Sequence, residues 1–209
     1  MLLASLVYLV RSRSNNSLAP PLNVSTNANV GSQTTEGVAS VQHNTSPAIA
    51  NVAALEAKVK TDSSFDGYNT KPLTDGVVDV RQIKAMRYNQ GNWVSAESPE
   101  PHWIEFDFRA PARVTAVYVY WGFDRDRYMP SRRVELQAPD ASGGWRTIST
   151  LEPGEDFDRT AFEFEPVVAE RLRVFQPAQA GPSNRPFVMW VREVQAFGVR
   201  ADATTNERR

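Results

Sequence analysis

The chain has 209 residues, with 23 basic and 24 acidic side chains and a formal net charge of −1. That balance removes the electrostatic case for nucleic acid, whose phosphates need a basic stripe to neutralise them. There is no cysteine, and the only two histidines are His43 and His102. A disulfide scaffold, thiolate zinc sites, cysteine nucleophiles and a multi-histidine metal centre are therefore excluded, though export is not.

The chain opens on MLLASLVYLV, followed by RSRSNN. The apolar run is too short to span a bilayer, which takes ~20 residues. It has the length of a signal-peptide core, but its arginines follow it instead of preceding it. It reads as an altered export signal, as the end of an anchor that would tether the chain to a membrane, or as a short apolar patch. Residues 11–50 are rich in Ser, Asn, Thr and Ala, with no aromatic residue and no apolar period. Such a stretch cannot bury enough apolar surface to offset its conformational entropy, so a disordered linker is expected over 11–50, which with the apolar start makes up the segment 1–50 ahead of the domain. Its Asn-x-Ser/Thr triplets at Asn15, Asn23 and Asn44 are what that composition yields by chance. The tail 200–209 reads the same way, which leaves one folded domain over about 51–199.

Within that domain one short helix is expected around 80–87. From residue 103 the period is two. In WIEFDF, Ile104, Phe106 and Phe108 share one face, with Trp103, Glu105 and Asp107 on the other. In RVTAVYVYWG the apolar residues load both sides, as in a strand buried on both faces. Further strands are expected at 132–138, 145–150, 160–166, 170–176 and 189–198, separated by the turn signals PDASGG, EPGED and QPAQAGPSN. Short strands at this spacing indicate a sandwich or jelly roll.

The motifs then fall in a recognisable order: NVAALEAKVKTDSS, PLTDG, NWVSAE, HWIEFDFRAPARVTAVYVYW, and finally RLRVFQ and WVREVQAFG. This set resembles the discoidin (coagulation factor type C, F5/8 type C) family, which includes carbohydrate-binding modules of family 32. The resemblance implies an all-β, eight-stranded antiparallel jelly-roll β-sandwich of the galactose-binding-like kind. It also implies binding of glycans, lipid headgroups or proteins through loops at one end. By that resemblance the chain is a non-catalytic, carbohydrate-binding module of an exported, periplasmic or cell-surface bacterial protein. The alternative is a structural or docking module that binds a protein partner beside a larger enzyme, such as a glycoside hydrolase.

Two sites carry over with the resemblance. A structural Ca²⁺ would use Asp75 of the Asp-Gly turn and Glu193 of the closing motif, with Asp79 as a further donor, since Ca²⁺ takes six to eight oxygen ligands. Otherwise Asp75-Gly76 is a plain turn and Glu193 hydrogen-bonds the first loop. The chain departs from the family by placing VVDVRQIKAMRYNQGN between this turn and Trp93. Sugar recognition needs an aromatic face beside groups that hydrogen-bond hydroxyls. The candidates are Tyr68 and Asn69; Arg87, Tyr88 and Asn89; Trp121; Phe123, Asp124, Arg125, Asp126, Arg127 and Tyr128; and Asn184, Arg185 and Phe187. The competing reading of DRDRY is a solvated loop whose charges cancel in local ion pairs. The Arg-x-Asp pattern of the family's fucose binders is missing, because Arg127 follows Arg125 at that spacing, so fucose specificity is unsupported. His102 is read as structural, Trp93 and Trp103 as core, and Trp121 as either core or platform.

Catalysis is not expected. Glycoside hydrolysis needs two carboxylates fixed across a cleft. Glu152, Glu155, Asp156 and Asp158 instead share one Pro- and Gly-containing loop, where solvated charge is the default.

Overall fold

A computed structural model describes residues 49–53, 57–87 and 89–201. The apolar start, the linker through residue 48, Tyr88 and residues 202–209 lie outside the described residues. Among the described residues there are eleven strands, one helix and one 3-10 turn. In chain order they are β1 (Ala50–Asn51), β2 (Lys58–Thr61), the 3-10 turn (Lys71–Thr74), α1 (Val80–Ala85), β3 (Trp93–Val94), β4 (His102–Trp121), β5 (Phe123–Asp124), β6 (Arg127–Tyr128), β7 (Val134–Pro139), β8 (Trp145–Leu151), β9 (Arg159–Phe162), β10 (Val167–Gln176) and β11 (Trp190–Arg200).

All pairings are antiparallel, and β4 organises them. Its first half pairs β2 on one side and β10 on the other, with β7 and β8 continuing outward from β10. Its second half pairs β9 and β11, and β11 carries β1 and β3 on its far edge. The strand thus belongs to both layers of the sandwich. Two separate strands were expected here; the pairing with β10 skips from Asp107 to Ala112, but the chain runs as one strand with a corner at Arg109. That residue has φ of 61°, and its N–H donates to Asp107 Oδ1 at 2.9 Å. The Arg200 guanidinium closes the corner by donating to the carbonyls of Phe108 and Ala110. The eight-stranded description counts β4 twice and omits the short β1, β3, β5 and β6.

Alternation decides what is buried. Ile104, Phe106 and Phe108 enter the core from the first half of β4, and Val117, Val119 and Trp121 from the second. They meet Leu136, Phe162, Leu172, Val174 and Val194. The expectation that VYVYW is buried on both sides needs correction. Tyr118 and Tyr120 face outward and are half-buried, with the Arg159 guanidinium over their rings at 5.0 and 5.8 Å. The residues from Ala112 to Val119 look two-sided because the β4–β11 register shifts between Phe197 and Gly198, which changes the face midway. Trp93 is core, as read. Trp103 is half-buried on the outer face, where Arg173 lies 4.5 Å from its ring and 4.0 Å from that of Trp145. Under that stack Glu105 is buried and ion-paired with Arg171 and Arg173.

Candidate ligand-binding site

The central strand leaves the core at Trp121 and turns at once into the β5–β6 hairpin. Gly122 makes this turn possible, because a Cβ there would stand 1.9 Å from the Trp190 ring. Gly122 N–H donates to the Trp190 carbonyl and its own carbonyl accepts from Met129 N–H, both at 2.9 Å. The two-residue tip is Arg125–Asp126, with Arg125 at φ of 56°. A non-glycine residue held there costs on the order of 1 kcal/mol or more, and such strain tends to gather at functional sites. Asp156 and Gln179, at φ of 57° and 60°, lie in the two loops that face the hairpin. The Phe123 and Tyr128 rings meet edge to face at 5.1 Å across the hairpin.

The charges of DRDR do not cancel locally. Among the described residues, Asp124, Arg125, Asp126 and Arg127 form no ion pair and no side-chain hydrogen bond. The hairpin instead separates two clefts of about 400 Å³ each. The first is lined by Asp126, Arg127 and Tyr128 from the hairpin, Glu155 and Asp156 from the 152–158 loop, and Ser183 and Asn184 from the 177–189 segment. Its walls are fastened to each other. Tyr128 N–H donates to Asp156 Oδ1 at 2.9 Å, Ser183 Oγ donates to Glu155 Oε1 at 2.9 Å, and Arg132 holds the carbonyls of Gln179 and Gly181. The second cleft takes Asp124 and Arg125 from the other side of the hairpin, facing Tyr68 and α1.

Beneath the first cleft is a group the sequence reading missed. Arg192 is 1% exposed and sits where the β11–β4 register shifts. It donates to the Trp121 carbonyl at 2.6 Å and to the Val78 carbonyl at 3.2 Å, and lies 3.6 Å from Asp158. Its guanidinium is 5.3 Å from the Tyr128 ring centroid. Burial lowers its pKa from the usual value, yet an arginine stays charged. One buried cation therefore joins the end of β4, the loop before α1 and the 152–158 loop. The only sequence signal was a charged residue inside the apolar strand pattern WVREV.

The remaining candidates disperse. Trp121 corrects toward core: it is 0% exposed and its Nε1 donates to Thr160 Oγ1 at 2.7 Å, so its face cannot meet a ligand. Asn69 caps the turn at Lys71 N–H and Asn89 donates to the Gly67 carbonyl, both structural contacts. Arg87 is exposed after α1, outside both clefts. Arg185 is paired with Glu97 at 2.8 Å. Phe187 is exposed just beyond it.

The carboxylates proposed for a cation divide as well. Asp79 caps α1 by accepting from Arg81 N–H, and Arg81 chelates it with Nε and Nη2. This hydrogen bonding lowers its pKa and leaves it poorly placed as a metal ligand. Glu193 is fully buried; its Oε2 accepts from Gly76 N–H at 3.1 Å while its Oε1 has no partner. Burial pushes its carboxyl up to about 8, with the nearby Asp75 charge adding to the effect. Burial also raises Asp75. Among the described residues no group of three or more His, Cys, Asp or Glu gathers to hold a metal, so a hard cation here would have only these two carboxylates, with one orphaned oxygen, beside backbone carbonyls.

His102 is structural, as read. Its buried ring faces Asp62 Oδ2 at 2.8 Å through Nδ1 and the Phe187 carbonyl at 3.0 Å through Nε2. Burial alone would lower its pKa, but those two acceptors outweigh it and raise the group.

The architecture matches known folds. The chitosan-binding module 1 from the chitosanase/glucanase of Paenibacillus sp. IK-5 superposes with a TM-score of 0.52 and 21% identity, over 70% of this chain and 98% of that one. The family 32 CBM from C. perfringens NanJ, solved in complex with galactose, gives 0.55 and 11%, over 72% and 99%. A fucose-binding module from Streptococcus pneumoniae gives 0.53 and 16%, over 71% and 94%. No curated protein matches the chain. The family model for the F5/8 type C domain matches residues 56–191, most of the described sandwich, and the chain belongs to that family.

Proposed function

We propose that the sandwich is a non-catalytic carbohydrate-binding module of an exported or cell-surface protein, and that it holds glycan in the first cleft. The observation that carries this reading is the unpaired charge of the hairpin beside a braced, polar cleft. Arg127 and Asn184 offer donors, Glu155 and Asp156 offer acceptors, and Tyr128 offers a ring fixed from beneath by Arg192. That combination suits a ring of hydroxyls with an apolar C–H face. The fold's neighbours, which include modules named for chitosan and fucose and one solved with galactose, support the same class of ligand. A Ca²⁺ ion would be held by Glu193 and Asp75, and when bound would supply charge neutralisation where the first loop meets β11. Glycan-array binding followed by NMR titration tests the main reading. Tyr128→Ala should weaken binding about 5- to 100-fold with the fold intact. Wild-type affinity in that variant would place the ligand elsewhere.

A further inference from the structure

The second cleft has a different character, and it accounts for a segment that the family resemblance left without a role. Its wall is built by the residues inserted between the Asp75-Gly76 turn and Trp93: α1 supplies Ile83 and Lys84, and Met86 follows. Gly91 lets the insert close on itself, since a Cβ there would stand 2.8 Å from Ile83. Tyr68, Phe123 and Trp190 complete an aromatic floor. Two cations stand over it. The Lys84 ammonium lies 4.4 Å from the Phe123 ring centroid, and Arg125 is exposed at the hairpin tip. Neither has an ion-pair partner among the described residues, and Asp124 is the only carboxylate in the lining.

From this geometry we propose that the second cleft is a subsite for a negatively charged sugar residue, such as a uronic acid. Its carboxylate is taken by Lys84 and Arg125, and its C–H face lies against Tyr68, because the Lys84 ammonium already covers the Phe123 ring. The alternating DRDR hairpin sorts its charges accordingly. Asp124 and Arg125 serve this cleft, while Asp126 and Arg127 serve the first. The subsite rests on the carbohydrate-binding reading and adds the class of sugar that selects for it. Two cations without an ion-pair partner over an aromatic floor favour an anion over a neutral hydroxyl, because the contact of Lys84 with the Phe123 ring leaves its charge uncompensated.

The test compares trigalacturonate with its methyl ester, the same sugar without the charge, by calorimetry and by amide shift mapping. The wild-type chain should prefer the acid about fivefold at low salt, and the preference should shrink as the Debye length falls toward ~3 Å near 1 M salt. In the double variant Lys84→Met, Arg125→Gly the two ligands should bind equally. Lys84 is exposed and glycine suits the positive φ at 125, so the variant should keep its fold. Tyr128→Ala should weaken both ligands alike. Equal wild-type affinity for acid and ester would overturn the subsite while leaving carbohydrate binding standing. So would a preference that survives the double variant, or shifts confined to the first cleft. No binding of either ligand, with no hit on a glycan array, would remove both readings.

Discussion

Glu193→Gln separates a buried charge from its environment. The carboxyl is fully buried, accepts one hydrogen bond from Gly76 N–H at 3.1 Å, and leaves Oε1 bare. Its pKa stands at about 8 in the folded chain against an ordinary 4.5. Because the folded value is the higher one, the stabilising contribution is complete below pH 4.5 and is lost as pH rises through about 8. At 1.36 kcal/mol per pKa unit, a shift of this size removes roughly 3 to 4 kcal/mol between pH 5 and pH 8 in the absence of any cation. Urea denaturation in EDTA at pH 5, 6.5 and 8 should show that decline in the wild type. Glutamine, isosteric and never ionised, should flatten most of it. His102, whose pKa is also raised, declines in the same direction, so the difference between the two chains isolates Glu193. At pH 8 millimolar Ca²⁺ should restore wild-type stability by mass action and leave the variant unmoved. Parallel pH profiles for the two chains would refute the buried-carboxylate argument. A calcium response that persists in the variant would detach the ion from Glu193.

Two further substitutions probe the frame around the clefts. Phe106→Ala, at 1% exposure in the middle of the core, should cost about 3 to 5 kcal/mol through the cavity it leaves, read as a lowered urea midpoint with unchanged slope. Arg192→Met strands the carbonyls of Val78 and Trp121 and should cost about 3 kcal/mol. Arg192→Lys should recover only part of that, because an ammonium cannot reproduce the fork. Thermal melts of both Arg192 variants check this, and a lysine variant as stable as the wild type would deny the fork its role.

The residues themselves contained the all-β class. The period of two in WIEFDF placed Ile104, Phe106 and Phe108 inside, because a strand with one buried face must alternate. The ordered motifs supplied the family. The split roles of the hairpin were not legible there. Whether DRDR cancels internally or faces two clefts depends on the two-residue turn at Arg125, and on loops that lie about thirty and sixty residues further along the chain. Trp121 could be core or platform until the packing of β9 brought Thr160 to its indole N–H. Arg192 is, in the sequence, only a charge inside the apolar pattern WVREV. Only the register shift that turns it inward, beneath Tyr128 and between two backbone carbonyls, made it a support for the site. Local periodicity reports which face of a strand meets the core. Contacts between distant segments decide which charges are left over for a ligand, and those contacts exist only once the sandwich has closed.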